Sequence, residues 1–242
     1  MKDSSVLAGS NLDLLAVNEY PGRGLVVGKT KNGAYLVQVY WVMGRSEKSQ
    51  NRILAELPGR RVSTLPLAGT IRDHSLLVYD AMREEEGRYI VGNGEQTETV
   101  VTALRSGGTV HGALRLHGYE PDEPHYTPRI TAITTVTGNP QAEISVLHRS
   151  RFGTCHRFFY EYAELPRGFG YCVHTYRANA HPLPSFAGEP VLVPVYDTIV
   201  ETADTYWRLL NEKHRVALVA KYIDSASGES FVHIRNKHIA PE

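Results

Sequence analysis

The stretch Ala-Tyr-Leu-Val-Gln-Val-Tyr-Trp-Val (residues 34–42) runs into Met43-Gly44-Arg45-Ser46-Glu47-Lys48-Ser49-Gln50-Asn51-Arg52, and Ile53 to Leu57 opens a second apolar run. The first run is too β-branched and aromatic for anything but a strand. The ten residues after it form a polar knot with two arginines, two serines, an asparagine and a glycine. A connector that had only to turn would be served by Asn-Gly or Pro-Gly. Arginine forks and short hydrogen-bonding side chains suit an anionic, oxygen-rich ligand. A solvated loop is the alternative, because charged loops are common on surfaces.

Upstream, Gly24 to Lys29 reads as a strand joined through Lys31-Asn32-Gly33 to the long one, so the chain opens with a β-hairpin whose far end carries the knot. Before it, Leu12, Leu14, Leu15 and Val17 predict a short helix or clasp within an N-terminal extension, residues 1–19. Downstream, Ile53–Leu57, Val62–Leu65 and Ser75–Tyr79 read as short strands, and Arg88–Val91 pairs with the last across Glu84-Glu85-Glu86-Gly87. The period then changes. Val100, Val101 and Leu104, with Gly107-Gly108 as terminator, predict a helix over Gln96–Leu104, followed by a second over Thr109–Leu116.

Beyond an irregular stretch, Ile130–Thr137, Ala142–His148, Thr154–Ala163 and Phe169–Arg177 predict an antiparallel meander. A Pro-rich connector, Ala178 to Pro194, leads to a helix over Thr198–Glu212 with Ile199, Ala203, Trp207 and Leu210 at helical spacing; strands Val216–Ile223 and Phe231–Ile234 close the chain. Strands, two helices, strands, one helix and strands, with no regular β-α-β alternation, indicate an α+β protein of antiparallel sheets with helices outside, one domain over residues 1–242.

Composition narrows the function. Lys plus Arg equals Asp plus Glu at 26 each, so nothing steers the chain toward a polyanion, and no nucleic-acid partner is expected. The 11 histidines are scattered without metal-binding spacing, so no metal is expected. Cys155 and Cys172 read as two free thiols in strand-like segments. No apolar run reaches the ~18 residues of a membrane span, and Met1 to Ser10 lacks a secretory pattern, which predicts a cytoplasmic protein with no membrane partner. Neither glycine-rich phosphate-binding signature occurs.

Four polar clusters stand at predicted strand or helix ends: Tyr20-Pro21-Gly22-Arg23, the knot, Gly92 to Glu98, and Glu120 to Arg129. Each has a bland reading. Arg23 alone reads as a surface arginine, Asn93 and Thr97 as helix caps, the glycine-rich third cluster as a tight turn, and Glu120, Asp122 and Glu123 as solvated carboxylates.

In order, Tyr-x-Gly-Arg, Arg-Ser-x-x-x-x-Asn-Arg, Asn-Gly-x-x-Thr-[Asp/Glu] and an acidic stretch ending in Thr-Pro-Arg-Ile resemble the archaeal-type IMP cyclohydrolase family and its bacterial relatives, most strongly from Tyr20 to Ile133. The resemblance implies a four-layer αββα sandwich similar to the N-terminal-nucleophile hydrolases, without self-processing. It implies dehydrative ring closure of 5-formamido-imidazole-4-carboxamide ribotide to inosine monophosphate in purine biosynthesis. No cofactor is implied; the expected partners are the purine ribotide and further copies of the chain in a homo-oligomer. The chain departs from the family pattern at Trp41 and Asp80.

A carboxamide nitrogen is a weak nucleophile, so the chemistry requires positioning, oxyanion stabilisation and proton transfer. The resemblance places Tyr79, Glu120 and Arg45 in the catalytic set. Two of Arg23, Arg45, Arg52 and Arg129 would grip the 5′-phosphate with help from Ser46 and Asn51, and another would polarise the formyl oxygen. Asn93, Thr97 and Glu98 would hold the carboxamide or ribose, with Tyr40 and Thr127 completing the binding set. Which arginine meets which group stays open, as does the choice of acid or base among Tyr79, Glu120, Asp122 and Glu123.

Overall fold

A computed structural model describes residues 3–68 and 76–239. β1 (Gly24–Lys29) and β2 (Tyr35–Met43) form the expected hairpin. Along β2, Leu36, Tyr40 and Val42 enter one apolar core while Val37, Val39, Trp41 and Met43 enter another. Burial on both faces is why the strand reads as a nearly unbroken apolar run.

β3 (Arg52–Leu57), β4 (Arg61–Pro66), β5 (Asp80–Glu85), β6 (Arg88–Gly92), β7 (Arg129–Thr135), β8 (Ala142–Arg149) and β9 (Cys155–Tyr162) follow one another as a seven-stranded antiparallel meander. β10 (Phe169–His174) with β11 (Val191–Pro194), and β12 (Arg215–Asp224) with β13 (Ser230–Asn236), flank the first hairpin in a six-stranded antiparallel sheet ordered β11-β10-β1-β2-β12-β13. That sheet is three hairpins laid side by side.

Five expectations are corrected. The strand predicted at Ser75–Tyr79 starts later: Ser75 lies outside the described residues, 76–79 are irregular, and β5 begins at Asp80. Glu84 and Glu85 therefore belong to the ladder, where Lys221 Nζ bonds Glu84 at 2.7 Å and Arg105 Nη2 pairs with Glu85 at 2.7 Å; only Glu86 and Gly87, both at positive φ, make the turn. The fourth strand of the predicted meander, β10, crosses to pair with β1. It buries Cys172 on one face and Val173 on the other, a central-strand environment, whereas β9 is left as a more exposed edge. The Pro-rich connector contains β11, and the knot contains the short helix α2 (Glu47–Gln50).

The remaining helices are α1 (Ser4–Val17), α3 (Gln96–Arg105), α4 (Val110–Leu114) and α5 (Ile199–Leu209). One core holds Leu25, Val27 and Tyr40 from the six-stranded sheet with Leu54, Met82, Val91 and Ile144 from the seven-stranded one, so the sheets face each other. The outer face of the first sheet packs Trp41, Cys172 and Leu218 against Leu15 of α1 and Ala203 and Tyr206 of α5. The outer face of the second packs Ile90, Ile133 and Leu147 against Val100, Val101 and Leu114. The protein is thus α+β, with two antiparallel sheets and few helices. Both cysteines are free, and among the described residues no helix is long and apolar enough to cross a membrane.

Polar ties register the two sheets. Gln38 Nε2 donates to Tyr89 O and to Thr134 Oγ1, each at 2.8 Å, from within the shared core. Close approach matters at Gly24, where a Cβ would lie 2.0 Å from Cζ2 of Trp41, itself fully buried and stacked on Tyr206 at 6.3 Å. Gly24→Ala is expected to lower unfolding stability by about 2–3 kcal/mol in a urea titration, because the indole has no free volume to retreat into.

Candidate active site

The knot is built around one guanidinium. Ser46 caps α2, accepting from Ser49 N at 3.2 Å while its own backbone N–H donates to Ser49 Oγ at 3.0 Å. The carbonyls this turn presents hold Arg52, whose Nε donates to Ser49 O at 3.0 Å and Nη2 to Met43 O at 3.3 Å. Arg52 is 3% exposed, its Nη1 has no hydrogen-bond partner, and among the described residues no carboxylate pairs with it. Burial, with Arg23 adding like-charge repulsion, lowers its pKa from the usual arginine value. A buried cation without a counter-ion is an unfinished interaction awaiting an anion.

A second guanidinium faces the same space. The turn Pro21-Gly22 brings Arg23 against the end of β10: Arg23 N donates to Thr175 Oγ1 at 3.1 Å and Tyr176 N to Pro21 O at 3.1 Å. Only glycine fits at position 22, since φ is +75° and a Cβ would stand 2.5 Å from the Tyr176 ring. Arg23 Nη2 meets Glu120 Oε2 at 2.8 Å, with Glu120 2% exposed and its Oε1 unpartnered. Burial lifts the Glu120 carboxyl above the ordinary range although Arg23 pulls the other way. Arg23 stays charged: burial disfavours its charge, and Glu120 together with Tyr79, Tyr176 and Tyr40 more than offsets that.

Phenols gather around these groups, Tyr20 and Tyr176 on the wall of the same space. The Tyr40 and Tyr79 hydroxyls are 2.6 Å apart, and Tyr20 stacks on Tyr176 at 5.9 Å. Burial pushes Tyr20, Tyr40 and Tyr176 up, so these three remain protonated donors at neutral pH. Thr127 ties the acidic stretch together, its hydroxyl bonded to Asp122 and Tyr176 and its backbone N–H to Asp122 Oδ1 at 2.6 Å.

At the mouth, Arg45 lies over the Tyr20 ring at 5.1 Å and donates to Asn179 Oδ1 at 3.1 Å and Ala180 O at 3.0 Å. Beside it, Leu183 donates its backbone N–H to His125 Nδ1 at 3.1 Å, which assigns the hydrogen of the neutral ring to Nε2. Burial and Arg45 hold His125 below its ordinary value and so neutral. Its Nε2 lies 3.4 Å from Arg45 Nη2. Both atoms carry hydrogens and neither accepts, so an oxyanion between them would satisfy both.

At this place lies one cavity of ≈ 320 Å³, to which Arg23, Arg45, Lys48 and Arg52 bring four cations and Glu120 and Asp122 two carboxylates. Of the predicted site residues, Arg23, Arg45, Ser46, Arg52, Glu120 and Thr127 line it. Tyr40 and Tyr79 bond to each other, with Tyr79 lining a neighbouring groove of ≈ 460 Å³. Arg129 approaches from the far side, where a Cβ on Gly94 would lie 2.8 Å from its Nη1 and 3.5 Å from Glu120 Oε1; it pairs with Gln96 at 2.8 Å and Glu95 at 2.9 Å.

Other predicted residues serve elsewhere. Asn51 exchanges two hydrogen bonds with the Ala68 backbone, at 2.9 and 3.1 Å. Asn93 caps no helix: it donates to Pro128 O at 2.9 Å and accepts from Ile130 N at 2.8 Å, fastening β6 to β7. Thr97 is buried with an unpartnered hydroxyl, and Glu98 pairs with Arg83 in the neighbouring groove. Glu123 is exposed, and Asp122 is engaged by Thr127, leaving Glu120, paired with Arg23 through Oε2 and with Oε1 unpartnered, as the buried carboxylate of that stretch.

Sequence reading passed over Tyr176, Leu183 and the role of His125. Tyr176 follows β10, and only the pairing of β10 with β1 brings it to Arg23. His125 stood inside the fourth polar cluster, but its partner Leu183 is 58 residues away.

Chemically, the cavity offers an excess of positive charge, a chain of protonated hydroxyls and one buried carboxylate whose proton affinity is raised. That set can bind an anion and move a proton. No curated protein matches the chain significantly. A family profile, that of the IMP cyclohydrolase-like protein, matches residues 20–228, from the tyrosine that opens the site to the turn before β13. The chain belongs to the IMP cyclohydrolase-like family.

Proposed function

We propose that this protein is an IMP cyclohydrolase of purine biosynthesis, a single cytoplasmic domain in which the two facing sheets and their outer helices make a four-layer αββα sandwich of the N-terminal-nucleophile-hydrolase kind without self-processing. The observation that carries the reading is the charge of the cavity: four cations against two carboxylates leave two positive charges uncompensated. A phosphate monoester, about −1.5 to −2 at neutral pH, balances them. Arg45, His125 and Lys48 take the 5′-phosphate at the mouth, and Arg52 bonds the ribotide deeper in.

At the inner end Glu120 accepts a proton from the carboxamide nitrogen as that nitrogen attacks the formyl carbon, and Arg23, held on the same carboxylate, stabilises the oxyanion formed. Glu120 returns its proton to the oxyanion, the resulting carbinol hydroxyl leaves as water with the hydrogen of the former formamide nitrogen, and the ring C=N bond forms. The Tyr40–Tyr79 pair is the proton path for that departure. Incubation with the formamido ribotide, followed by absorbance of inosine monophosphate, tests the reading; folded protein with no rate above background would refute it.

Arg52→Met separates binding from stability. It removes an unpaired buried charge, so the ligand-free protein is expected to be as stable as the parent or more so, while KM rises by about 10- to 100-fold from a lost charge-assisted contact. Denaturation and steady-state kinetics on one preparation check both halves.

A ribotide-binding module without turnover is the second reading, raised by Asp80, which departs from the family pattern beside Tyr79. Ser63 donates to Asp80 at 2.5 Å and Arg83 at 3.0 Å, so its carboxylate is occupied outside the cavity. Trp41 bears on neither reading, because it points into the helix-side core. Ribotide-dependent thermal stabilisation without product would favour the module.

A further inference from the structure

On the opposite side of the seven-stranded sheet from the shared core, three side chains from three elements converge. His111 of α4, Glu143 of β8 and Glu161 of β9 each present a ligand atom, and these atoms all lie within 4.8 Å of one another. His111 Nδ1 and Glu143 Oε1 are 3.7 Å apart. Two ligands at ~2.1 Å on a tetrahedral ion stand roughly 3.4 Å apart, so the His111–Glu143 pair needs only a small contraction, while the cluster as a whole, spread within 4.8 Å, closes further around the ion.

The two glutamates are direct cross-strand partners, an arrangement in which like charges repel. Glu143 has a side chain only 12% exposed, and its Oε1 is buried without a hydrogen-bond partner. The imidazole is held in place by stacking on Phe159 at 3.9 Å, two residues before Glu161 on the same strand. A repelling carboxylate pair with an orphaned buried oxygen and an oriented imidazole lacks one thing, a cation.

We propose that His111, Glu143 and Glu161 bind a divalent transition-metal ion that clamps α4 to the edge of the seven-stranded sheet. One imidazole nitrogen with two carboxylates suits zinc and its borderline neighbours, whereas magnesium and calcium prefer all-oxygen shells. Three protein ligands leave a coordination position open to solvent, so the ion exchanges readily and is distinct from the ribotide cavity.

The test titrates chelator-treated full-length protein with Zn²⁺ by calorimetry and follows thermal unfolding. One equivalent binds and the melting temperature rises, while Mg²⁺ at the same concentration does neither. His111→Ala and Glu161→Gln, both at exposed positions, each weaken Zn²⁺ at least about tenfold and abolish the Zn²⁺-dependent rise in melting temperature, while the metal-free variants still unfold cooperatively. Absence of Zn²⁺ binding overturns the proposal, and so does unchanged affinity in the double variant, which would place the ion elsewhere, for instance at the His148–His156 pair.

Discussion

Glu120→Gln is expected to lower turnover of the formamido ribotide by about 10²- to 10⁴-fold, the usual contribution of a positioned proton-transfer group. The amide keeps the shape of the carboxylate and can still accept from Arg23, which stands 2.8 Å away in the parent, but it cannot take a proton. KM should change little, since the proposed phosphate contacts are Arg45, His125 and Lys48. The pH profile gives an independent check. Burial raises the Glu120 carboxyl, and the base must be ionised, so the acid limb of kcat/KM falls at a higher pH than an exposed glutamate would give. The residual rate of the variant lacks that limb. Unchanged turnover would remove Glu120 from the mechanism.

Arg23→Met is expected to destabilise the fold by about 3–5 kcal/mol at neutral pH, because it leaves Glu120, 2% exposed, as an uncompensated buried charge. The sign with pH is fixed. Without Arg23 the folded-state pKa of Glu120 rises further above its unfolded value, so the loss is full above the folded pKa and is relieved as pH falls toward the unfolded one. Arg23→Met combined with Glu120→Gln should recover most of the stability, as urea titrations at two pH values would reveal. Arg52→Met, which removes the other buried guanidinium of the cavity, has the opposite expected effect because no carboxylate depends on it. One arginine is part of the fold and the other is held ready for a ligand.

Much of the sheet structure was legible because strands carry period-two information locally. β1 was predicted at Gly24–Lys29 and found there, and β12 and β13 shifted by one or two residues. Partnership was not legible: nothing in Phe169 to His174 says that it pairs with β1 rather than with β9, since alternation records faces and not neighbours. The helix α2 has four residues, too few for a periodic signal, and its cap is Ser46 with Ser49 rather than with an acidic residue.

For the site, the arginines were readable as a group because polar runs at strand ends interrupt an apolar pattern. Asn51 and Asn93 looked equally available, yet both satisfy backbone groups of neighbouring segments. A side chain bonded to its own chain and one waiting for a ligand look the same in sequence. The family match reaches residue 228, well past Ile133 where readable motifs fade, because the later segments contribute strands and Tyr176 rather than a run of polar residues.

The two sheets also differ in how the chain must assemble them. The seven-stranded meander uses one continuous segment, Arg52 to Tyr162, in which each strand pairs with the one before it. The six-stranded sheet joins the opening hairpin to strands near the other end, with Trp41 opposite Leu218 and Tyr35 opposite Asp224. Local pairings close quickly and distant ones slowly. During synthesis the meander can therefore form while the first hairpin, its Arg23 and the preceding helix still lack their partners. The cavity, walled by Arg23 beside one sheet and Arg52 on the other, draws its lining from Tyr20 to Leu183, so it becomes complete only once β10 has paired with β1 and the two sheets have come together.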